Sequence, residues 1–283
     1  MGDGKRKKER FKAEHPWCCF CGGEVPATTI DHIPARTCFR NREYPHTFEF
    51  PACDHCQGAS RLDEIAFAFW VRALDHNDDN LTDRDFDKLI SGLLNNLPDL
   101  APQGIASRNG KRQALRRMGL RMAPGLTLDQ APIVNIDTRL HAYIDRYARK
   151  IALALYYREQ GRIAKASHRV LATWGQASDQ RFLQRSQGFY NMTPIATIGT
   201  RPNVDIGDQF RYQCNKADKP DVFAALAEFG RGGVVLQMLV VSEDAALKID
   251  DMRDEGNEPA VQEWIIARDN YPRPNQATQR LSN

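Results

Sequence analysis

The chain has 283 residues, 42% hydrophobic and 27% charged, with a formal net charge of +3. That length allows one large domain or two ordinary ones, and that composition excludes a disordered or fibrous chain. Charge so close to balance excludes a polycation, so any affinity for polyanions has to come from local basic runs.

The first such run is "KRKKERFK", Lys5 to Lys12, within a polar stretch over residues 1–14. It reads as a flexible basic arm whose Lys5, Arg6, Lys7 and Lys8 are candidates for contacts to nucleic-acid phosphates; the plain alternative is a frayed terminus. Trp17 and a group of cysteines follow where a signal peptide would carry its apolar core. The longest apolar stretch, "VVLQMLVV" (Val234 to Val241), is far short of the roughly 20 residues of a membrane helix and reads as a buried strand. The expectation is a cytoplasmic protein with no membrane partner.

Residues 15–75 form the next unit. Six of the 7 cysteines precede Leu62, an odd, clustered set in a chain without an export signal, which argues for metal rather than disulfides. Cys18 and Cys21 make one CxxC, and Cys53 and Cys56 make a second. Each pair can bite one ion from a tight turn, and four thiolates close a tetrahedral structural zinc site. Gly22 and Gly23 let the backbone curl after the first pair. Cys19 and Cys38 are spare thiols in this scheme, and Cys214 is an ordinary strand residue. Between the pairs lies "TTIDHIPARTCF", with Asp31 and His32 adjacent after a β-prone run and Pro34 forcing Ile33 to be extended. On a strand the two would face opposite ways; near a turn they could converge.

From Leu62 the period becomes helical through Ala73, and residues 76–190 read as a helical region. Thr82 is a plausible N-cap for a helix with Phe86, Leu89, Ile90, Leu93 and Leu94 on one stripe. The basic stretch with Lys111, Arg112, Arg116 and Arg117 reads as a third helix and a second phosphate-binding candidate. Asp137 caps a fourth helix, with Leu140, Ile144, Tyr147, Ile151 and Leu155 on one face and Gly161 as its stop. Residues 191–270 read as a β-rich region of "TPIATIGT", "DQFRYQC", "VFAALAEF" (strand or helix) and "GGVVLQMLVV". Residues 271–283 read as a disordered tail.

The N-terminal residues resemble a known family. Phe20-Cys21-Gly22-Gly23, then "DHIPAR" (Asp31 to Arg36), then "HTFEFPACDHCQ" (His46 to Gln57), with Asp63 and Glu64 following, are similar to the zinc-bearing HNH endonucleases. Their pattern is CxxCG, then DH-x-P, then N-L-x-x-V-P-A-C-x-x-C-N, then an acidic pair. The resemblance spans Cys18 to Glu64 and implies an α+β chain: a zinc-stabilised ββα-metal module, treble-clef-like, then a helical segment and a small antiparallel β region. It implies a metal-dependent endonuclease that hydrolyses phosphodiester bonds of DNA, with RNA as the alternative substrate and a role in restriction or phage defence.

Residue by residue, His32 matches the general base. Asp31 matches a ligand of the catalytic Mg²⁺ or Mn²⁺. Two positions depart from the pattern. His46 stands where the base-orienting Asn is usual, and Gln57 stands where an Asn or His ligand is usual. Arg36 is a candidate phosphate contact, His55 is expected to point outward, and Asp63 and Glu64 are taken as first-turn helix charges. The same residues leave room for a non-catalytic zinc-containing nucleic-acid-binding protein with a degenerate site. The remainder of the chain is free to dimerise or to meet a regulatory partner.

Overall fold

The computed structural model describes residues 3–45, 47–75, 84–100, 107–118, 125, 127–128, 137–192, 208–219, 221–230, 233–254 and 265–271. Within these the chain is mixed α+β, with eight α-helices and two antiparallel sheets.

The N-terminal stretch forms helix α1, Asp3–Glu14, where a flexible arm was expected. Its Lys, Arg, Glu and Ala residues are strong helix formers. Its end is fastened: His15 Nδ1 lies 2.6 Å from the Tyr157 hydroxyl, and Lys7 Nζ lies 3.0 Å from Glu49 Oε1. Strand β1, Thr29–His32, then pairs antiparallel with β2, Glu49–Ala52, setting Asp31 opposite Phe50 and His32 opposite Glu49. Two helices follow at once, α2 (Asp54–Ala59) and α3 (Arg61–Leu74). Helices α4 (Arg84–Asn96) and α5 (Arg108–Met118) come next. Leu89 and Leu93 of α4 are buried as the stripe requires, but Leu94 is exposed. Thr82 lies outside the described residues.

Helix α6, Arg139–Gln160, is the axis of the molecule. The Asp137 carboxylate accepts the Arg139 N–H at 2.8 Å at its start, and Gly161 ends it at φ 65°. All five residues of the expected stripe are buried, and so is every residue from Tyr147 to Tyr156. A helix buried on all sides needs cover on all sides. One side is covered by α3 and the cysteine-bearing region. The other is covered by a sheet of order β4-β5-β6-β3-β7. Its strands are β3 (Arg169–Gly175), β4 (Phe210–Asp218), β5 (Asp221–Phe229), β6 (Val234–Val241) and β7 (Ile265–Ile266). Helices α7 (Gln180–Met192) and α8 (Glu243–Asp254) complete the described chain.

One open reading is decided here and two expectations change. "VFAALAEF" is strand β5, buried continuously from Phe223 to Phe229 because both its faces are covered. The region 76–190 is not all helical, since β3 is an inner strand paired with β6 and β7. The boundary at residue 75 does not divide the core: Phe20, Phe50 and Phe67 belong to one hydrophobic cluster with Tyr147, Phe229 and Leu236. "TPIATIGT" and residues 272–283 lie outside the described residues, and Tyr271 is buried rather than the start of a tail. No helix among the described residues is long and apolar enough to cross a membrane.

The joint between α6 and the N-terminal module includes a buried hydrogen bond from the Ala35 N–H to the Tyr147 hydroxyl, 2.8 Å long. Tyr147→Phe leaves that amide buried without a partner and is expected to cost about 1–3 kcal/mol. Urea unfolding measures it; a cost near zero would mean the joint does not depend on this bond.

Candidate functional site

Two sites are built on the hairpin and its flanking helices. The first is the cysteine group. The Sγ atoms of Cys18, Cys21, Cys53 and Cys56 all lie within 4.8 Å of one another, and all four residues are buried. Among the described His, Cys, Asp and Glu residues this is the one group able to gather three or more ligand atoms. Zn–S bonds of about 2.3 Å in a tetrahedron separate the sulfurs by roughly 3.8 Å, so the quartet fits zinc.

The local backbone explains the convergence. The Cys18 N–H donates to Val25 O at 2.9 Å and the Gly23 N–H to Cys18 O at 3.2 Å, closing the first turn. Gly22 lies at φ +73°, and a Cβ there would stand 2.6 Å from the Ala166 backbone, so only glycine fits. Cys53 caps α2, its sulfur accepting the Cys56 N–H at 3.5 Å. Hydrogen bonds within the quartet, those with Cys18 first, pull Cys21 down to about 7 and Cys53 down as well. They push Cys18 and Cys56 up. A dication is what lets all four ionise together. Burial pushes the Cys19 and Cys38 thiols up, and neither belongs to the group.

The second site is the pocket behind Asp31. A cleft of about 370 Å³ is lined by Asp31, Asp54, Gln57, Gly58, Arg61 and Glu64. Behind that lining lies a residue that motif reading missed. Lys150, from the middle of α6 and fully buried, places Nζ 2.5 Å from Asp31 Oδ2, 2.5 Å from Ser60 Oγ and 3.5 Å from Glu64 Oε1. These three oxygens match the three donors of an ammonium. Phe20, in the first cysteine turn, presents its ring 4.9 Å from Nζ. Burial alone would lower the lysine's pKa, but the Asp31 and Glu64 charges outweigh it and the net shift is upward. Burial pushes the Glu64 carboxyl up to about 7 in spite of the ammonium beside it.

The expected catalytic Mg²⁺ or Mn²⁺ does not fit this arrangement. Asp31 Oδ2 is taken by Lys150, and Oδ1 accepts the His32 N–H at 2.9 Å. A dication bound to Asp31 would stand about 4 Å from a buried ammonium, a repulsion of about 8 kcal/mol at an effective dielectric of ~20. One shared carboxylate and the Gln57 amide do not offset that.

His32 faces a different set of neighbours. Both residues belong to strand β1, so their side chains alternate between faces rather than converge. The His32 Nε2 lies 2.6 Å from Arg36 Nη2 and 3.8 Å from Glu49 Oε1, with the Tyr44 ring edge-on at 4.9 Å. Arginine can only donate, so Nε2 is the acceptor and the ring is neutral with its proton on Nδ1. Burial first, then the Arg36 charge, lowers the His32 pKa below its ordinary 6.5. Arg36 is not a free phosphate fork: besides His32 it reaches the Tyr44 hydroxyl at 3.1 Å and stacks over that ring.

The remaining expected residues divide. Lys5, Arg6, Lys7 and Lys8 are exposed on α1. Arg112 and Arg116 are exposed on α5, but Lys111 of the same run is buried and cannot reach a phosphate. Asp63 and Glu64 lie in the first turn of α3 as expected, but Asp63 is also buried, bidentate to Arg146 at 2.7 and 3.2 Å, and accepts the Tyr271 hydroxyl at 3.0 Å. His55 turns toward the Tyr271 carbonyl at 3.1 Å, away from the sulfurs. His46 lies outside the described residues. A lysine inside the apolar run "KIALALYY" was the signal that could have revealed Lys150. Comparison with protein-family models, with curated proteins and with solved structures gives no match.

Purified protein is expected to carry one zinc by elemental analysis. Cys53→Ser or Cys56→Ser loses it, and Cys19→Ser and Cys38→Ser keep it; zinc retained in the first pair would dissolve the site. In an NMR titration the His32 ring is expected to protonate with a midpoint below 6.5, and Arg36→Met is expected to raise it. A depressed folded pKa means the unfolded chain binds the proton more readily, so His32 costs stability as pH falls through 6.5 and costs none above it. A midpoint above 6.5 would reverse this assignment.

Proposed function

We propose that the protein binds the phosphodiester backbone of a nucleic acid, DNA first, on the face where α1 meets the β1–β2 hairpin. The module carrying that face is a zinc-braced scaffold similar to the HNH endonucleases. The observation that carries this reading is one chain of contacts. Lys7 Nζ is 3.0 Å from Glu49 Oε1, Glu49 Oε1 is 3.8 Å from His32 Nε2, and His32 Nε2 is 2.6 Å from Arg36 Nη2. A helix with six Lys and Arg residues against three acids is thereby moored beside an imidazole and a guanidinium. The exposed point charges of that helix suit a row of phosphates. No aromatic residues interleave the basic positions except Phe11, which rests on His15, so base stacking contributes little.

A second reading, phosphodiester hydrolysis, is favoured by the neutral His32. A ring unprotonated at pH 7 can accept a proton from water once its Nε2 is released. A phosphate drawing Arg36 toward itself would release it. Such a nuclease would suit restriction or defence against foreign DNA, a role resting on the family resemblance alone.

Fluorescence anisotropy with duplex DNA is expected to show salt-sensitive binding. The double variant Lys5→Glu, Lys8→Glu is expected to weaken it roughly tenfold or more and to flatten the salt slope by about 2. Unchanged binding would remove α1 from the interface. Plasmid nicking that is lost in His32→Ala supports the second reading; binding without nicking, under every divalent ion supplied, leaves the first alone.

A further inference from the structure

We propose that Lys150 is a built-in cation that takes the place of a divalent ion behind Asp31, so that the site is independent of Mg²⁺ and Mn²⁺ by construction. The three oxygens around Nζ come from three separate elements: Asp31 from β1, Ser60 from the α2–α3 junction and Glu64 from α3. Converging oxygens with two carboxylates among them, at the back of a cleft that Gln57 also lines, are what a hard cation requires. The cation present is an ammonium delivered by α6, hydrogen-bonded to Asp31 and Ser60, ion-paired with Glu64 and fully buried. A tethered cation cannot be chelated, diluted or exchanged.

Lys150 does not reach the cleft surface, so it is a positioning residue and not a catalytic one. It holds the Asp31 carboxylate directed inward, and Asp31 in turn accepts the N–H of His32. The inference rests on the reading above only in taking the Asp31–Gln57 cleft as the place where a divalent ion would be sought.

The test is Mn²⁺ binding followed by electron paramagnetic resonance on zinc-loaded protein, with thermal unfolding in parallel and no nucleic acid present. Wild type is expected to bind no Mn²⁺ beyond the weak surface background, and its melting temperature is expected not to move with Mn²⁺. Lys150→Met leaves Asp31, Glu64 and Ser60 without their cation; it is expected to gain one Mn²⁺ site at least about tenfold tighter than that background, and to melt higher when Mn²⁺ is added. A single Mn²⁺ site in wild type that Asp31→Asn abolishes would overturn the proposal. So would a folded, zinc-loaded Lys150→Met with no gain in Mn²⁺ affinity. If that variant does not fold, the wild-type and Asp31→Asn titrations decide alone. Failure to bind DNA would sink the function proposed above and leave these titrations unaffected.

Discussion

The ammonium of Lys150 is fully buried, and the elements around it are arranged to make that tolerable. Moving an ammonium out of water costs several kcal/mol even after relaxation, and only close, well-directed oxygens recover it. Asp31 and Ser60 at 2.5 Å and Glu64 at 3.5 Å supply them. Each comes from a segment that could otherwise shift on its own. Strand β1, the α2–α3 junction and α3 must therefore hold fixed positions around one atom of α6. Removing a partner from such a group strands a buried charge, which typically costs about 3–5 kcal/mol.

The other contacts of α6 with this region follow the same direction. Arg146 grips Asp63, the Tyr147 hydroxyl takes the Ala35 N–H, Tyr157 meets His15, and Arg158 reaches the Thr47 carbonyl at 3.2 Å. A module of this size could not bury enough surface to hold itself together. It is braced twice: by the cysteine quartet, and by a helix that also supports the five-stranded sheet. Phe20 links the two braces, since it lies in the first cysteine turn and lays its ring under the lysine. The module and the rest of the chain are one core, and what shifts α6 shifts Asp31.

The parts legible in the sequence were those that local chemistry decides. Cysteine spacing picked the four sulfurs, and paired glycines marked a turn that has positive φ at both Gly22 and Gly23. A stripe with a carboxylate before it and a glycine after it gave α6. The parts not legible depend on distant partners. Lys150 meets Asp31 across 119 positions, and nothing near either residue names the other. Asp63 fits a helix N-terminus by local rules, yet the stronger attraction is Arg146, 83 positions away. Strand β3 hid because Gly161 ended a helix and the short alternation of Val170 and Ala172 with Arg169, Leu171 and Thr173 went unweighed. Its pairing with β6 buries those two residues completely.

The adjacency of Asp31 and His32 invited one site, and strand geometry makes two. A period of two residues sends consecutive side chains to opposite faces. Pro34 comes after the strand has ended, too late to rotate one toward the other. The inward face received a lysine and became an electrostatic anchor. The outward face received Arg36, Tyr44 and Glu49 beside a basic helix. The inward one contributes to it through a single hydrogen bond, the His32 N–H to Asp31. It fixes the backbone from which the imidazole projects, so the charge buried behind the strand governs where the ring in front of it can stand.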